Sequence, residues 1–252
     1  MLAERIRAMG APHWLALYGL ILAGWAALYA MAVPADLRAL SALYGADFWA
    51  ALCRAGPDGA GLAGLFAMWA VMAAAMMAPT ALPALATYED LGRATPVRFG
   101  ALVAGYLAVW LGFAALAALA QMALYRAGLV DALGASRQGW FTALLLAGAG
   151  AYQFSALKQA CLSRCRAPLT FFMQHWDEGP WRLGLRLGAT CLGCCWALMA
   201  LGFAGGVMNL AFMGLATGLM ALEKLPKTGR WLTAPLGWAL LAGAVLAAAG
   251  AI

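Results

Sequence analysis

Five of the six cysteines fall into two groups whose spacing suits soft-metal chemistry. Cys191, Cys194 and Cys195 stand at i, i+3 and i+4 in the run CLGCCWALM, and Met199 continues the stripe at i+8. On a helix these side chains share one face. Cys161 and Cys165, at i and i+4 in YQFSALKQACLSRCRAP, form a second pair one helical turn apart. Thiolates clustered away from hard oxygen donors favour Cu(I) or Zn(II) over Mg(II) or Ca(II). Cu(I) is the first expectation and Zn(II) the second. A lone cysteine such as Cys53 is better read as a small buried hydrophobe.

Methionine adds a second pattern. Met68, Met72 and Met76 recur at i, i+4 and i+8, followed by Met77 and the prolines Pro79 and Pro83. Met208 and Asn209 open another apolar run, with Met213 a turn later. A thioether binds Cu(I) without losing a proton and can pass an ion on by ligand exchange. The same residues are also ordinary flexible core fillers, and spacing alone favours that reading. His13 and His175, the only histidines, lack partners at metal-ligand spacing.

The elements that must position these residues are membrane helices. The 252 residues are 65% hydrophobic and 10% charged, against about a quarter charged in a soluble domain. Charge-free intervals run Ala8–Ala35, Gly59–Tyr88, Phe99–Tyr125, Gln138–Leu157, Leu187–Leu222 and Trp231–Ile252. A spanning helix needs about 20 residues. The Leu187–Leu222 interval is too long for one straight span, and Gly202, Gly205 and Gly206 supply a hairpin or a re-entrant turn. The expectation is therefore one transmembrane domain, 1–252, an all-α bundle of about seven spans. They fall near Trp14–Val33, Leu62–Ala84, Gly100–Leu124, Gln138–Leu157, Leu183–Phe203, Gly206–Leu222 and Trp231–Ala249.

With seven spans, Lys and Arg divide twelve to four between the two sides. The richer side collects Arg5, Arg7, Arg93, Arg98, Lys158, Arg164, Arg166, Arg182, Arg186, Lys224, Lys227 and Arg230. Arg38, Arg54, Arg126 and Arg137 lie opposite. The positive-inside bias then puts the N-terminus in the cytoplasm and the C-terminus outside. The first helix is expected to act as an uncleaved signal anchor in a bacterial inner membrane. The net charge of +6 belongs to these short loops, and no basic patch with interleaved aromatics marks a nucleic-acid partner. Polar residues within spans are costly and commonly functional. Gln121 is expected at an interface, and Lys158 and Lys224 are expected to snorkel. Asn209 must hydrogen-bond a neighbour or a ligand.

Five blocks in order carry a family likeness: AMMAP (Ala75–Pro79), Tyr152–Pro168, Cys191–Met199, GGVMNLAFM (Gly205–Met213) and Glu223–Lys224. Together they resemble a bacterial family of unknown function described as predicted metal-binding integral membrane proteins. The resemblance implies that Met76, Met77, Cys161, Cys165, Cys191, Cys194, Cys195, Met208, Asn209 and Glu223 occupy signature positions. The first span, the Cys53 loop and the last span lie outside the clearest similarity.

The leading functional expectation is binding of Cu(I) for transport or delivery, with a metallochaperone or cuproenzyme as partner and the lipid bilayer as solvent. No Walker-type loop is present to couple ATP hydrolysis to such movement. The alternatives are a membrane thiol oxidoreductase and a non-catalytic accessory subunit. Disulfide geometry speaks against the first, since adjacent cysteines pair with strain and i, i+4 thiols on an intact helix pair poorly.

Overall fold

A computed structural model describes residues 11–32, 59–93, 96–226 and 228–250. Cys53, Arg5, Arg7, Arg38, Arg54 and Lys227 of the sequence argument lie outside the described residues. In chain order the helices are α1 (Pro12–Ala32), α2 (Gly59–Tyr88), a π-helical turn (Glu89–Arg93), α3 (Pro96–Arg126), α4 (Gly139–Gln153), α5 (Ala156–Arg166) and α6 (Pro168–Gln174). A 3₁₀ turn (Trp176–Glu178) leads into α7 (Pro180–Ala200), α8 (Gly202–Gly205), α9 (Leu210–Glu223) and α10 (Thr228–Ala248). The protein is all-α. Among the described residues five helices are long and apolar enough to cross a membrane, and the bent pair α4–α5 makes a sixth candidate.

Two sequence expectations change in detail. The fourth span, expected unbroken over Gln138–Leu157, stops at Gln153, and the chain turns by 60° into α5. Ser155 explains the turn: its backbone is extended and its hydroxyl accepts from the Lys158 N–H, capping a new helix. The expected sixth span is α9, an apolar helix of 14 residues. At 1.5 Å per residue it measures roughly 21 Å, short of a hydrocarbon core of about 30 Å. The stretch Cys161–Arg182, which lies between the expected fourth and fifth spans, is mostly helical, with Pro168 and Pro180 each opening a helix where a missing N–H is harmless.

Pro79 and Pro83 do not end the second span, because α2 runs through both to Tyr88. A proline frees the carbonyl four residues earlier. For Pro79 that carbonyl is Ala75 O, which accepts from the indole Nε1 of Trp25 on α1 at 3.0 Å. The start of α1 is fastened beside the other end of α2, where His13 Nε2 lies 3.0 Å from Glu89 Oε1 and the Trp14 indole also donates to Glu89.

The most extensive packing joins α3 to α7. Gly184 and Gly188 make it possible, since a Cβ at Gly184 would overlap the Leu102 carbonyl and one at Gly188 would come within 2.9 Å of Tyr106 O. Small residues let membrane helices approach backbone to backbone. This contact brings Tyr106 of α3 against Cys191 of α7. Gly184→Val should therefore destabilise the protein by about 1–3 kcal/mol through overpacking. Denaturation in detergent would show it, and an unchanged midpoint would contradict the close contact.

Candidate metal centre

Helix α7 carries the centre. Cys191, Cys194 and Cys195 are all buried, and their sulfurs lie within 4.8 Å of one another. Cys194 Sγ is 3.3 Å from Cys195 Sγ and donates to the Cys191 carbonyl at 3.1 Å. Three thiolates around one ion at a metal–sulfur distance of about 2.3 Å would stand about 4 Å apart. The observed spacing brackets that value, so the donor set fits an ion with small side-chain adjustments.

Helix α5 lies over this face and brings the second pair to it. Cys165 Sγ is 3.9 Å from Cys194 Sγ. Cys161 sits against Gly193, where a Cβ would stand 2.5 Å from its sulfur, so only glycine admits that approach. The Gly193 carbonyl accepts from the Tyr152 hydroxyl at 2.5 Å, which fixes the end of α4 to the same turn of α7. Cys161 and Cys165 are half-buried while the trio is closed off, so the five thiols run from the accessible to the enclosed. All five are free thiols.

The other wall is polar and was not expected. Lys224 donates to Cys191 Sγ at 2.9 Å and to Thr80 Oγ1 at 2.6 Å. Thr80 in turn donates to Met77 O at 2.9 Å. The Tyr106 hydroxyl also donates to Met77 O at 2.9 Å and lies 3.1 Å from Cys191 Sγ. Beside Cys191, the side chains of Lys224, Thr80 and Tyr106, with Cys165 and Leu187, line a cavity of about 20 Å³. That is room for roughly one water molecule or one ion, and no organic substrate.

Lys158 and Lys224 do not snorkel, since both are buried. Lys158 ion-pairs with Glu223 at 2.8 Å, so Glu223 serves as a charge partner next to the centre, with its Oε1 buried and without a hydrogen-bond partner. Arg166 donates to the Glu223 carbonyl at 2.8 Å, giving α5 a second tie to the end of α9. Gln121, expected at an interface, is fully buried and accepts from Trp69 Nε1 at 2.7 Å.

The methionines stay apart from the cavity. Met72, Met76 and Met77 are buried in the apolar core, Met199 lies on the next turn of α7, and no methionine lines the cavity. Only the backbone of Met77 takes part. Asn209 is exposed and caps α9: Oδ1 accepts from Phe212 N–H at 3.1 Å, and Nδ2 donates to Gly205 O at 3.2 Å. Its hydrogen bonds therefore go to its own turn. Asn209 and the half-buried Met208 stand at the opposite end of α9 from Lys224, roughly 21 Å away.

Lys224, Thr80 and Tyr106 are the residues that spacing rules missed. Glu223–Lys224 did stand among the family blocks, and a Lys at the end of an apolar run signals either snorkelling or a buried partner. Tyr106 in a charge-free interval carried no distinguishing sign.

A bundle of long apolar helices closing on a cluster of buried thiols defines a class of helical protein with a centre suited to a metal ion. The chain belongs to the PpoB2 copper chaperone family, whose model matches residues 66–247, more than half of its length. The match takes in most of α2, all of α3 to α9 and nearly all of α10, and with them every residue of the centre. No curated protein and no solved structure matches the chain.

Proposed function

We propose that this protein is a membrane-embedded copper chaperone that holds one Cu(I) on Cys191, Cys194 and Cys195 and delivers it to a cuproenzyme. Its place is a bacterial inner membrane. The observation that carries the reading is the set of three buried sulfurs within 4.8 Å, with Lys224 donating to one of them. A soft, three-coordinate thiolate set favours Cu(I), whereas Zn(II) in structural sites takes four ligands. Positive charge beside Cys191 offsets the negative charge that thiolates bring into a low-dielectric site. Cys165, 3.9 Å from Cys194, is the ligand through which an ion enters or leaves, and Cys161 is the outer contact. Apolar α9 completes seven membrane segments, with the N-terminus cytoplasmic and the C-terminus outside by the positive-inside bias. The methionines Met72, Met76, Met77, Met199 and Met208 support the bundle.

The test is metal content by elemental mass spectrometry after anaerobic purification and loading with Cu(I), Zn(II) or both. Wild type should retain about one copper per chain, and the variant with Cys191, Cys194 and Cys195 all changed to Ser should retain none. Preferential retention of zinc would replace the copper assignment, and absence of metal from a folded wild type would overturn the proposal.

A further inference from the structure

A second cavity opens between α4, α5 and α10. It measures about 310 Å³, within the range of small-molecule sites. Gln153, Phe154, Gln159, Arg166, Arg230 and Thr233 line it. Two guanidinium groups thus face one space, and no carboxylate lines it among the described residues. Arg166 is held in place, with Nε on the Glu223 carbonyl at 2.8 Å and Nη2 on Thr233 Oγ1 at 3.1 Å. Its remaining N–H groups are left for another acceptor. Gln153 is 1% exposed, and its Oε1 has no hydrogen-bond partner. Like charges gathered around a cavity call for an anion, and a buried carboxamide with a free acceptor calls for a hydroxyl or N–H donor.

The surroundings of the cavity are apolar and outward-facing. Phe154 of its wall is 44% exposed and meets Trp238, itself 65% exposed, at a ring-centroid distance of 5.2 Å. Trp231, next to Arg230, is the most exposed large apolar residue of α10, which continues to exposed Val245 and Leu246. Aromatic rings of this kind mark the headgroup level of a membrane, and basic pockets between helices take phospholipid headgroups.

We infer that this cavity binds the phosphate headgroup of an anionic phospholipid. Arg166, steadied by Thr233, and Arg230 take the phosphate oxygens, Gln153 accepts from a headgroup hydroxyl, and the acyl chains lie along the outer face of α10. The inference does not depend on the copper reading, since none of its residues belongs to the thiol centre.

Native mass spectrometry of delipidated protein in detergent, titrated with phosphatidylglycerol, phosphatidylcholine or inorganic phosphate, tests it. Wild type should bind one phosphatidylglycerol in preference to phosphatidylcholine, and Arg230→Gln should weaken that binding about fivefold. Arg182→Gln, which removes an exposed charge elsewhere, should leave it unchanged. Equal weakening by both substitutions, or none by Arg230→Gln, would overturn the site. Inorganic phosphate competing as well as the lipid would overturn the lipid as its ligand.

Discussion

Glu223→Leu should unfold much of the population at temperatures where the wild type is stable, and the double variant Lys158→Met/Glu223→Leu should restore it. In the single variant Lys158, fully buried, would lose the carboxylate 2.8 Å from its amino group. Removing one partner of a buried ion pair costs about 3–5 kcal/mol, because the other charge is stranded. Replacing both by apolar groups of similar size is often neutral or stabilising by about 1–4 kcal/mol. The double variant also separates two roles for Glu223. The structure makes it the anchor of α5, whereas the family likeness places it among signature positions of a metal site. If the double variant folds and still holds copper, Glu223 acts through Lys158 alone. If it folds and holds none, the carboxylate serves the ion itself. Thermal denaturation in detergent with parallel copper analysis gives both answers.

Lys224→Met is expected to lower Cu(I) affinity about 10–100-fold while the helices stay assembled, the size of effect usual for a residue in contact with a metal ligand. The new side chain has similar volume and lacks only the charge and the donors. Two acceptors would change surroundings: Cys191 Sγ, now 2.9 Å from Nζ, and Thr80 Oγ1, at 2.6 Å. Thr80 keeps its bond to the Met77 carbonyl, so the loss falls mainly on Cys191. Lys224→Arg should recover little, because a forked guanidinium does not match a point-charge site in a cavity this small. Competition titration against a Cu(I) chelator checks the affinity, and unchanged affinity in Lys224→Met would remove Lys224 from the centre.

The cysteines show what periodicity can reveal. Positions i, i+3 and i+4 on one helix must converge whatever the rest of the chain does, so Cys191, Cys194 and Cys195 were visible from spacing alone. The approach of Cys161 and Cys165 to them depends on a bend at Ser155 and on Gly193 across the gap. Neither follows from the pattern of either helix. Lys224 and Tyr106 come from helices distant in sequence, and only packing reveals that they meet at one sulfur. The all-α class and the apolar segments were readable because a hydrocarbon solvent leaves so little freedom. Asn209 reads as costly inside a span, but the helix starts one residue later, so it is a cap. The Met72–Met76 stripe had the right spacing for soft ligands, yet the same spacing is what a buried helix needs for its core.

The bend after Gln153 carries a kinetic consequence. Helix α5 is eleven residues long, joined to α4 by two residues and to α6 by Ala167 alone. A short rod with a joint at each end can rock without dragging its neighbours. Its polar ties to α9 and α10 are the Lys158–Glu223 pair and the Arg166 hydrogen bonds, and its close packing is against α7. The trio, by contrast, sits on a helix wedged backbone to backbone against α3. On the proposed copper reading, residence time and equilibrium affinity would belong to different helices, with α7 setting how tightly an ion is held and α5 how quickly it is handed over.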